Sequence, residues 1–564
     1  MTRKGKCKVR TGCFTCKIRR VKCDEAKPNC LRCSSTGRVC NGYPDPTKPV
    51  SYQLRLLKPQ SLFPDIGNSE SRALQYFCEM VSPNLPGATD PYFWTHLVVQ
   101  FSRYEPAVRH GIVAISSLYE GIVWGEDNPF GAWAHQCQNN NILALRHYNA
   151  AIKELKVMQN PGLVLLVCIL FICLEVLQDN RDAALRHCTH GIAILAGSGS
   201  ASINWVREYL MPLFRRLSTL PFFFKSREAD ALDLAISRYP LRWSTFSNQA
   251  EAGAMVEDIM NQAMLLARQG FPFRIGPNRH EPIPPHLWKE QDRVLCLARQ
   301  WHAMFMDLEA RSKVQKTGVA RALMLARYRI TLVWGAEALS RTEMGYDDYE
   351  DEFRSMIDSV EAAAFENNEC IKQRPSFEMG FLTPLFFCAH RCRVLDLRLK
   401  ALGLIKILTA SRESLWKREG MYAVARLIIE TEHGLVLDDN GRPRPGAAPM
   451  YPALPPEDTR VLHFCPGGAE KYEEMFFGHM ESHSKMVLFT RNRSGKIYVR
   501  LEAVADVPTP PLTRKSSLHL MPSPSFSSSY IVCASPTRPG CTDTSVESDA
   551  QSWYEINTEK YMTL

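Results

Sequence analysis

The sequence predicts a mainly α protein with three parts: a small cysteine-rich N-terminal module, a large all-α domain and a disordered C-terminal tail. Three observations carry that reading. Six cysteines fall on one spacing written twice, Cys13-x2-Cys16-x6-Cys23 and Cys30-x2-Cys33-x6-Cys40, offset by 17 residues. From about Ser71 to about residue 435, apolar side chains recur at the three-to-four-residue steps of a helix. Residues 503–552 are rich in Ser, Thr and Pro and hold too little apolar surface to offset the entropy of ordering them.

At 564 residues, 45% of them hydrophobic, the chain has room for several domains and a large core. Its formal net charge of +9 is unevenly placed. Residues 1–43 carry 12 Lys and Arg against Asp24 and Glu25, a net +10, and the other 521 residues sum to −1. The excess positive charge therefore belongs to the cysteine module. A concentrated cationic field attracts a polyanion and steers its approach. The opening MTRKGKCKVRTG has no apolar core of a signal sequence, and the longest apolar run, Leu163–Leu174, is 12 residues. That run is too short to span a bilayer and predicts a buried helix, so an intracellular, soluble protein without a membrane partner is expected. The 12 cysteines beyond residue 40 show no repeated spacing. Several (Cys168, Cys173, Cys388) stand in apolar runs, where a free thiol behaves as a small hydrophobe.

Taken in order, residues 1–12 read as a basic arm, 13–43 as the cysteine module and 44–70 as a Pro-rich linker. The linker has no heptad repeat, so no zipper is predicted beside the module. Residues 71–435 form the all-helical domain. Asp90-Pro91 offers an N-cap followed by Pro at the first helical position. Helices are predicted over Glu105–Tyr119, Asn141–Met158, Leu163–Leu177, Asp182–Leu195 and Asn204–Leu217. Further ones follow over Glu251–Arg268, His286–Met306, Val319–Leu339, Asp351–Asn367, Leu385–Leu408 and Ser414–Glu432. In the second of these, Leu145, Tyr148, Ile152 and Leu155 mark one apolar face. The acidic run Tyr346–Glu352 reads as a solvated loop or helix start. Residues 436–502 begin with a loop holding six Pro in 436–460 and continue into a β-hairpin, Lys485–Thr490 with Lys496–Leu501. Residues 503–564 form the mostly disordered tail.

Thiolates at the repeated spacing are metal ligands before anything else. The opening residues argue against a disulfide framework, and a C-x-x-C redox pair would need a βαβ context that is missing. Structural zinc takes four ligands tetrahedrally, commonly Cys. Six cysteines can fill one zinc with two left over, or two zincs if two sulfurs bridge. The duplicated spacing favours sharing, because equivalent cysteines of each half can bridge symmetrically. Phe14, Ile18, Val21, Leu31 and Val39 are the apolar residues of any size in 13–40, so this segment should not fold without metal. Two zinc ions on six thiolates add −2 and leave the module near +8. Cys7, outside the repeat, reads as a free thiol.

Residues 13–40 resemble the fungal binuclear zinc cluster (Zn2Cys6) DNA-binding domain throughout, including Lys and Arg between the second and third Cys and Pro28 two residues before the fourth. The resemblance implies two Zn2+ per chain on Cys13, Cys16, Cys23, Cys30, Cys33 and Cys40, with Cys13 and Cys30 bridging and Pro28 in the loop between the halves. It also implies that the module reads a CGG-like triplet in the major groove. Only Lys17-Ile-Arg-Arg-Val-Lys22, between Cys16 and Cys23, is cationic enough for that task. Its counterpart, Ser34–Val39, carries a single Arg. Arg19 and Arg20 are expected on a short helix aimed at base edges, where an arginine fork can meet guanine O6 and N7 together. Lys17 and Lys22 are expected on phosphate, with the arm Arg3–Arg10. The family often has Lys where this chain has Arg20.

The helical region resembles the middle homology region of such regulators in Glu105–Glu120 and Val164–Leu195, over roughly residues 71–430. That implies a regulatory domain and a small-molecule effector or co-regulator as partner. His187 and His190 read as core or capping residues. No catalytic constellation stands out. His479-Met-Glu-Ser-His483 has Glu in the wrong place for a zinc hydrolase, and Gly197-Ser-Gly199 lacks a phosphate-loop Lys. Thr509-Pro510, Ser523-Pro524 and Ser535-Pro536 are candidate phosphorylation sites; Trp553–Ile556 has the aromatic-acidic mix of an activation segment but reads rather as a packed or inert terminus. The expectation is a nuclear, zinc-dependent, sequence-specific transcription regulator of RNA polymerase II type with double-stranded DNA as partner and no catalysis. One module of that family spans about three base pairs, too few to find a site in a genome, so a homodimer through the helical domain is expected. The competing reading is a zinc-cluster co-regulator or protein-interaction module that does not read bases.

Overall fold

The computed structural model describes residues 12–43 (Arg20 excepted), 67–127 (Asp90 excepted), 134–197, 203–218, 220, 243–311 (Pro277 excepted) and 318–365. It further describes 374–467, 485–492, 496–503 and 554–555. The chain divides into two compact units, Met1–Ser71 and Arg72–Leu564. The described residues are mainly helical with few strands, as the sequence predicts.

The first unit holds two short helices, Phe14–Ile18 and Leu31–Ser34. Each starts at a cysteine: the Cys13 sulfur accepts a hydrogen bond from Cys16 N and the Cys30 sulfur one from Cys33 N, both at 3.3 Å. A thiol thus does the work of the oxygen that usually caps a helix start.

The second unit is a succession of packed helices. Pro106–Asp127 lies against Ala134–Val157 and against Pro161–Leu177, which packs on Arg181–Gly197. The apolar run is the buried helix it was expected to be. Asn160 caps it through Gly162 N and Leu163 N at 3.0 and 3.3 Å, with Pro161 at the first position. Every residue from Leu165 to Leu177 is buried, Glu175 included. Gly191 lets the next helix close on this one, because a Cβ there would stand 2.4 Å from the Phe214 ring and 3.0 Å from the Cys168 sulfur. Among the described residues no helix is long and apolar enough to cross a membrane.

A second group comprises Gln249–Arg274, Pro285–Arg311, Val319–Ala336 and Glu350–Ala364, followed by Leu382–Arg391, Leu395–Leu408 and Arg418–His433. Val333, Phe353, Val360, Leu382, Leu402 and Ile428 are central to its apolar core. Gly434, at φ +62°, ends the last helix in the left-handed cap that glycine adopts freely. A four-stranded antiparallel sheet follows in chain order: Val461–Gly467, Lys485–Arg491, Ile497–Ala503 and Tyr554–Glu555. The middle two strands pair from Lys485↔Ala503 to Arg491↔Ile497.

Several elements differ from expectation. Leu385–Leu408 is two helices, broken where Cys392 and Val394 turn extended. Ser414 sits at φ +52° in a two-stranded ribbon, and the helix expected from there starts at Arg418. The Asn204–Leu217 stretch enters through a wide π turn, Val206–Leu210, before its helix at Met211–Leu217. The acidic run is a 3-10 turn and helix start, but its Tyr346 is buried. On Ala134–Val157, Leu145 is 51% exposed and the inward stripe is Asn140, Ala144, His147 and Ala151. Polar partners drew that stripe inward: Asn140 donates to Glu120 at 3.0 Å, and the His110 and His147 Nδ1 atoms lie 2.9 Å apart. Burial holds the His187 imidazole down at about 4, in keeping with a core role, and its Nε2 lies 3.4 Å from the Tyr148 hydroxyl. Asp90, Cys7, the His479–His483 pair and nearly all of the tail lie outside the described residues.

Candidate metal centre and nucleic-acid interface

The six repeated cysteines converge. Cys13, Cys16, Cys30 and Cys33 are fully buried, and Cys23 and Cys40 half-buried. Their sulfurs form two sets of four, Cys13/Cys16/Cys23/Cys30 and Cys13/Cys30/Cys33/Cys40, each within 4.8 Å throughout. Cys13 and Cys30 belong to both. A tetrahedron with zinc–sulfur bonds of about 2.3 Å places its sulfurs about 3.8 Å apart. Cys13 and Cys30 are separated by 3.6 Å, Cys16 and Cys30 by 3.7 Å, and Cys13 and Cys33 by 3.9 Å. The donor set therefore fits zinc in number, type and spacing.

The duplicated spacing is matched by duplicated hydrogen bonds. Cys13 N donates to the Cys23 sulfur and Cys30 N to the Cys40 sulfur, both at 3.5 Å. Burial pushes the Cys13 thiol up to about 12 and also raises Cys16 and Cys30. Cys23 feels burial too, but the N–H groups of Cys13 and Glu25 draw it down to about 6. The Cys30 and Gly42 N–H groups lower Cys40 in the same way. Backbone donors thus ease the loss of a proton from Cys23 and Cys40, whereas burial opposes it at Cys13, Cys16 and Cys30, where a bound cation would offset the cost.

Little else holds the module together. Val21 is 37% exposed, Leu31 68% and Val39 81%, so none of them forms a core. Polar ties join the halves instead. Asp24 accepts from Leu31 N at 2.9 Å and Arg32 N at 3.0 Å, capping the second helix from the first half. The Thr15 hydroxyl donates to Val39 O and accepts from Asn41 N, and the Tyr43 hydroxyl donates to Ala26 O at 2.8 Å. A Cβ at Gly12 would stand 2.9 Å from that of Cys23, so only glycine fits there without displacement. Asp24, Thr15 and Tyr43 were not singled out by sequence. None of the three carried a local signal: Asp24 stands seven residues before the helix start it caps, at no ordinary capping position.

Of the four residues expected on DNA, Lys17 and Lys22 are exposed. Arg19 follows the first helix as its C-cap rather than lying on it, and is half-buried. Its Nη1 donates to the Thr36 hydroxyl of the second half at 3.4 Å. Arg20 lies outside the described residues.

Two metal sites sharing two thiolates, in a segment whose described buried cluster is made of cysteines, define a class: a structural metal-cluster module. Residues 2–49 match the fungal Zn(2)-Cys(6) binuclear cluster domain, so this segment is a member of that family and a site for two zinc ions. The chain is 32% identical over 218 residues to the aspercryptin biosynthesis cluster-specific transcription regulator atnN of Emericella nidulans, covering 33% of this chain and 34% of that protein. It is 27% identical over 199 residues to the transcription regulator lscL of Purpureocillium lilacinum, covering 32% of this chain and 47% of the relative. The transcriptional regulatory protein moc3 of Schizosaccharomyces pombe is 58% identical over 38 residues, covering 7% of this chain and 8% of that one. The chain thus spans under half the length of these curated relatives. No solved structure matches it.

Proposed function

We propose that the protein is a nuclear, zinc-dependent, sequence-specific DNA-binding transcription regulator of RNA polymerase II type, and not an enzyme. The observation that carries this reading is the paired four-sulfur arrangement sharing Cys13 and Cys30, next to a Lys17–Lys22 segment that holds four of the module's cations. In this reading Cys13, Cys16, Cys23, Cys30, Cys33 and Cys40 ligate two Zn2+, with Cys13 and Cys30 bridging. Arg19 and Arg20 meet guanine edges of a CGG-like triplet, and Lys17 and Lys22 hold phosphates. The helical unit supplies the homodimer contact and the effector or co-regulator surface. The relatives bear regulator names, which supports a regulatory role for this chain.

The test is duplex binding by the full, zinc-loaded chain. CGG-containing duplexes are expected to bind more tightly than scrambled ones. Arg20→Ala should relax the triplet preference by about 1–3 kcal/mol. Lys22→Ala should weaken all duplexes alike and flatten the salt dependence by about one unit of slope. Equal affinity of the wild-type chain for both duplexes would instead identify a co-regulator that does not read bases.

A further inference from the structure

Thr36 occupies a peculiar place in the module. It lies exposed in the turn after the Leu31–Ser34 helix, in the half that carries little charge of its own. Three arginines nevertheless surround it in sequence or space. Arg32 and Arg38, four residues before and two after, are both exposed, and Arg19 donates to its hydroxyl from the other half at 3.4 Å. The hydroxyl's own proton turns back to the carbonyls of Arg32 and Cys33, at 2.9 and 3.1 Å, which leaves a lone pair for Arg19. The adjoining Gly37, at φ +64°, has no atom within 4 Å of where a Cβ would stand, so the turn opens to solvent.

From this geometry we infer that Thr36 is a phosphorylation site, modified by a kinase that selects flanking basic residues, and that the phosphate switches DNA binding off by capturing Arg19. The inference rests on the DNA-binding reading proposed above. In the transfer, the Thr36 Oγ1 attacks the γ-phosphorus of ATP. The bond from that phosphorus to the β–γ bridging oxygen breaks, ADP leaves, and the hydroxyl proton passes to the kinase base. The product carries about −1.5 to −2 charge at neutral pH and three acceptor oxygens. Its oxygens lie beside the Arg19 guanidinium, where a charge-assisted, two-pronged pair is stronger than the neutral hydroxyl contact it replaces. One event thus withdraws a guanine-reading side chain and subtracts charge from the module's cationic field.

The consequences differ from those of general misfolding. Losing one arginine–guanine pair costs roughly ten- to hundred-fold in affinity for the specific duplex. Bound DNA, which in this reading lies against Arg19, covers the adjoining Thr36 and should slow its modification.

The full, zinc-loaded chain is incubated with the catalytic domain of a basic-directed protein kinase and Mg-ATP. The phosphate is then mapped by mass spectrometry, and duplex binding and zinc content are measured before and after. A chain carrying phosphothreonine installed at position 36 during synthesis is measured in parallel. Expected are phosphate on Thr36, reduced by prior addition of duplex, a ten- to hundred-fold loss of specific binding, and two zinc ions retained. In Thr36→Val, kinase treatment should change binding by less than two-fold. Phosphate only on Ser35 or nowhere in the module, phosphothreonine at 36 with unaltered binding, or loss of binding only together with zinc would each overturn the proposal. If the untreated chain binds no duplex, the DNA-binding reading has failed, and the mapped position of the phosphate still decides whether Thr36 is modified.

Discussion

Glu413 shows how one residue can impose a pH dependence on a helical domain. It is 3% exposed, and its Oε2 accepts from Gly380 N at 2.8 Å and Leu382 N at 3.0 Å, beneath the start of the Leu382–Arg391 helix. Burial pushes the carboxyl up to about 7, against the pull of these backbone donors. In the unfolded chain the group titrates at about 4.3. Between those values the folded state binds the extra proton, so its contribution is complete below the unfolded value and is lost as pH rises toward 7. The window corresponds to a few kcal/mol, about 4 at most. Glu413→Gln keeps one oxygen for the two N–H groups and removes the titration. Denaturant unfolding from pH 4 to 8 should show the wild type losing stability relative to this variant as pH rises to about 7, with a constant difference above. Parallel pH profiles for the two proteins would show that Glu413 does not take up the proton.

At the scale of elements, the break between Leu382–Arg391 and Leu395–Leu408 sits inside a buried ionic network. Arg393, in the break, is fully buried and reaches Glu432 at 3.2 Å and Glu343 at 3.4 Å. Arg398 meets Glu432 at 2.6 Å, Arg391 meets Glu343 at 2.5 Å, and Arg460 holds Asp347 at 2.7 Å. A buried charge must be paired, and in the broken conformation the Arg393 guanidinium reaches both carboxylates. Glu432→Gln takes the paired carboxylate from buried Arg398 and leaves Arg393 with Glu343 alone, and should cost about 3–5 kcal/mol in chemical denaturation. A loss under 1 kcal/mol would mean that the network tolerates the missing charge. The same network marks the limit of what the sequence tells. Helices whose pattern is local, such as Pro161–Leu177 with its cap and unbroken apolar run, are legible from residues alone. The 392–394 break has neither Gly nor Pro, and the inward face of Ala134–Val157 follows polar partners far away in sequence, so no local pattern announces either. The cysteine site is legible because its spacing repeats. Its ties through Asp24, Thr15 and Tyr43, and the Arg19–Thr36 contact, depend on how the halves meet and leave no periodic trace.

At the scale of the whole molecule, two ways of making an interior stand in one chain. The helical unit buries Leu, Ile, Phe and Val in extended clusters whose stability follows from apolar area withdrawn from water. The N-terminal module's buried cluster is Cys13, Cys16, Cys30 and Cys33. A thiol set of this kind contributes little by burial and a great deal by coordination, on the order of 10 kcal/mol or more for structural zinc sites in small peptides. Nearly all the net charge lies in the part that depends on metal for its fold, so removing zinc should abolish sequence-specific duplex binding without unfolding the rest, while the cations themselves keep a salt-sensitive, non-specific attraction for polyanions. Treating the full chain with a strong chelator is expected to release two zinc ions and to expose the amides of residues 12–43 to hydrogen exchange. The preference for the specific duplex should disappear, while the thermal transition of the helical unit and protection over 161–177 stay unchanged. Chelator-insensitive protection across 12–43 would mean that the hydrogen bonds of Asp24, Thr15 and Tyr43 suffice to hold the halves together. Loss of the helical transition would mean that the metal cluster stabilises more of the chain than its own thirty residues. The expected outcome follows from the chemistry of the two interiors: one is assembled by water leaving hydrocarbon, the other by thiolates meeting a cation.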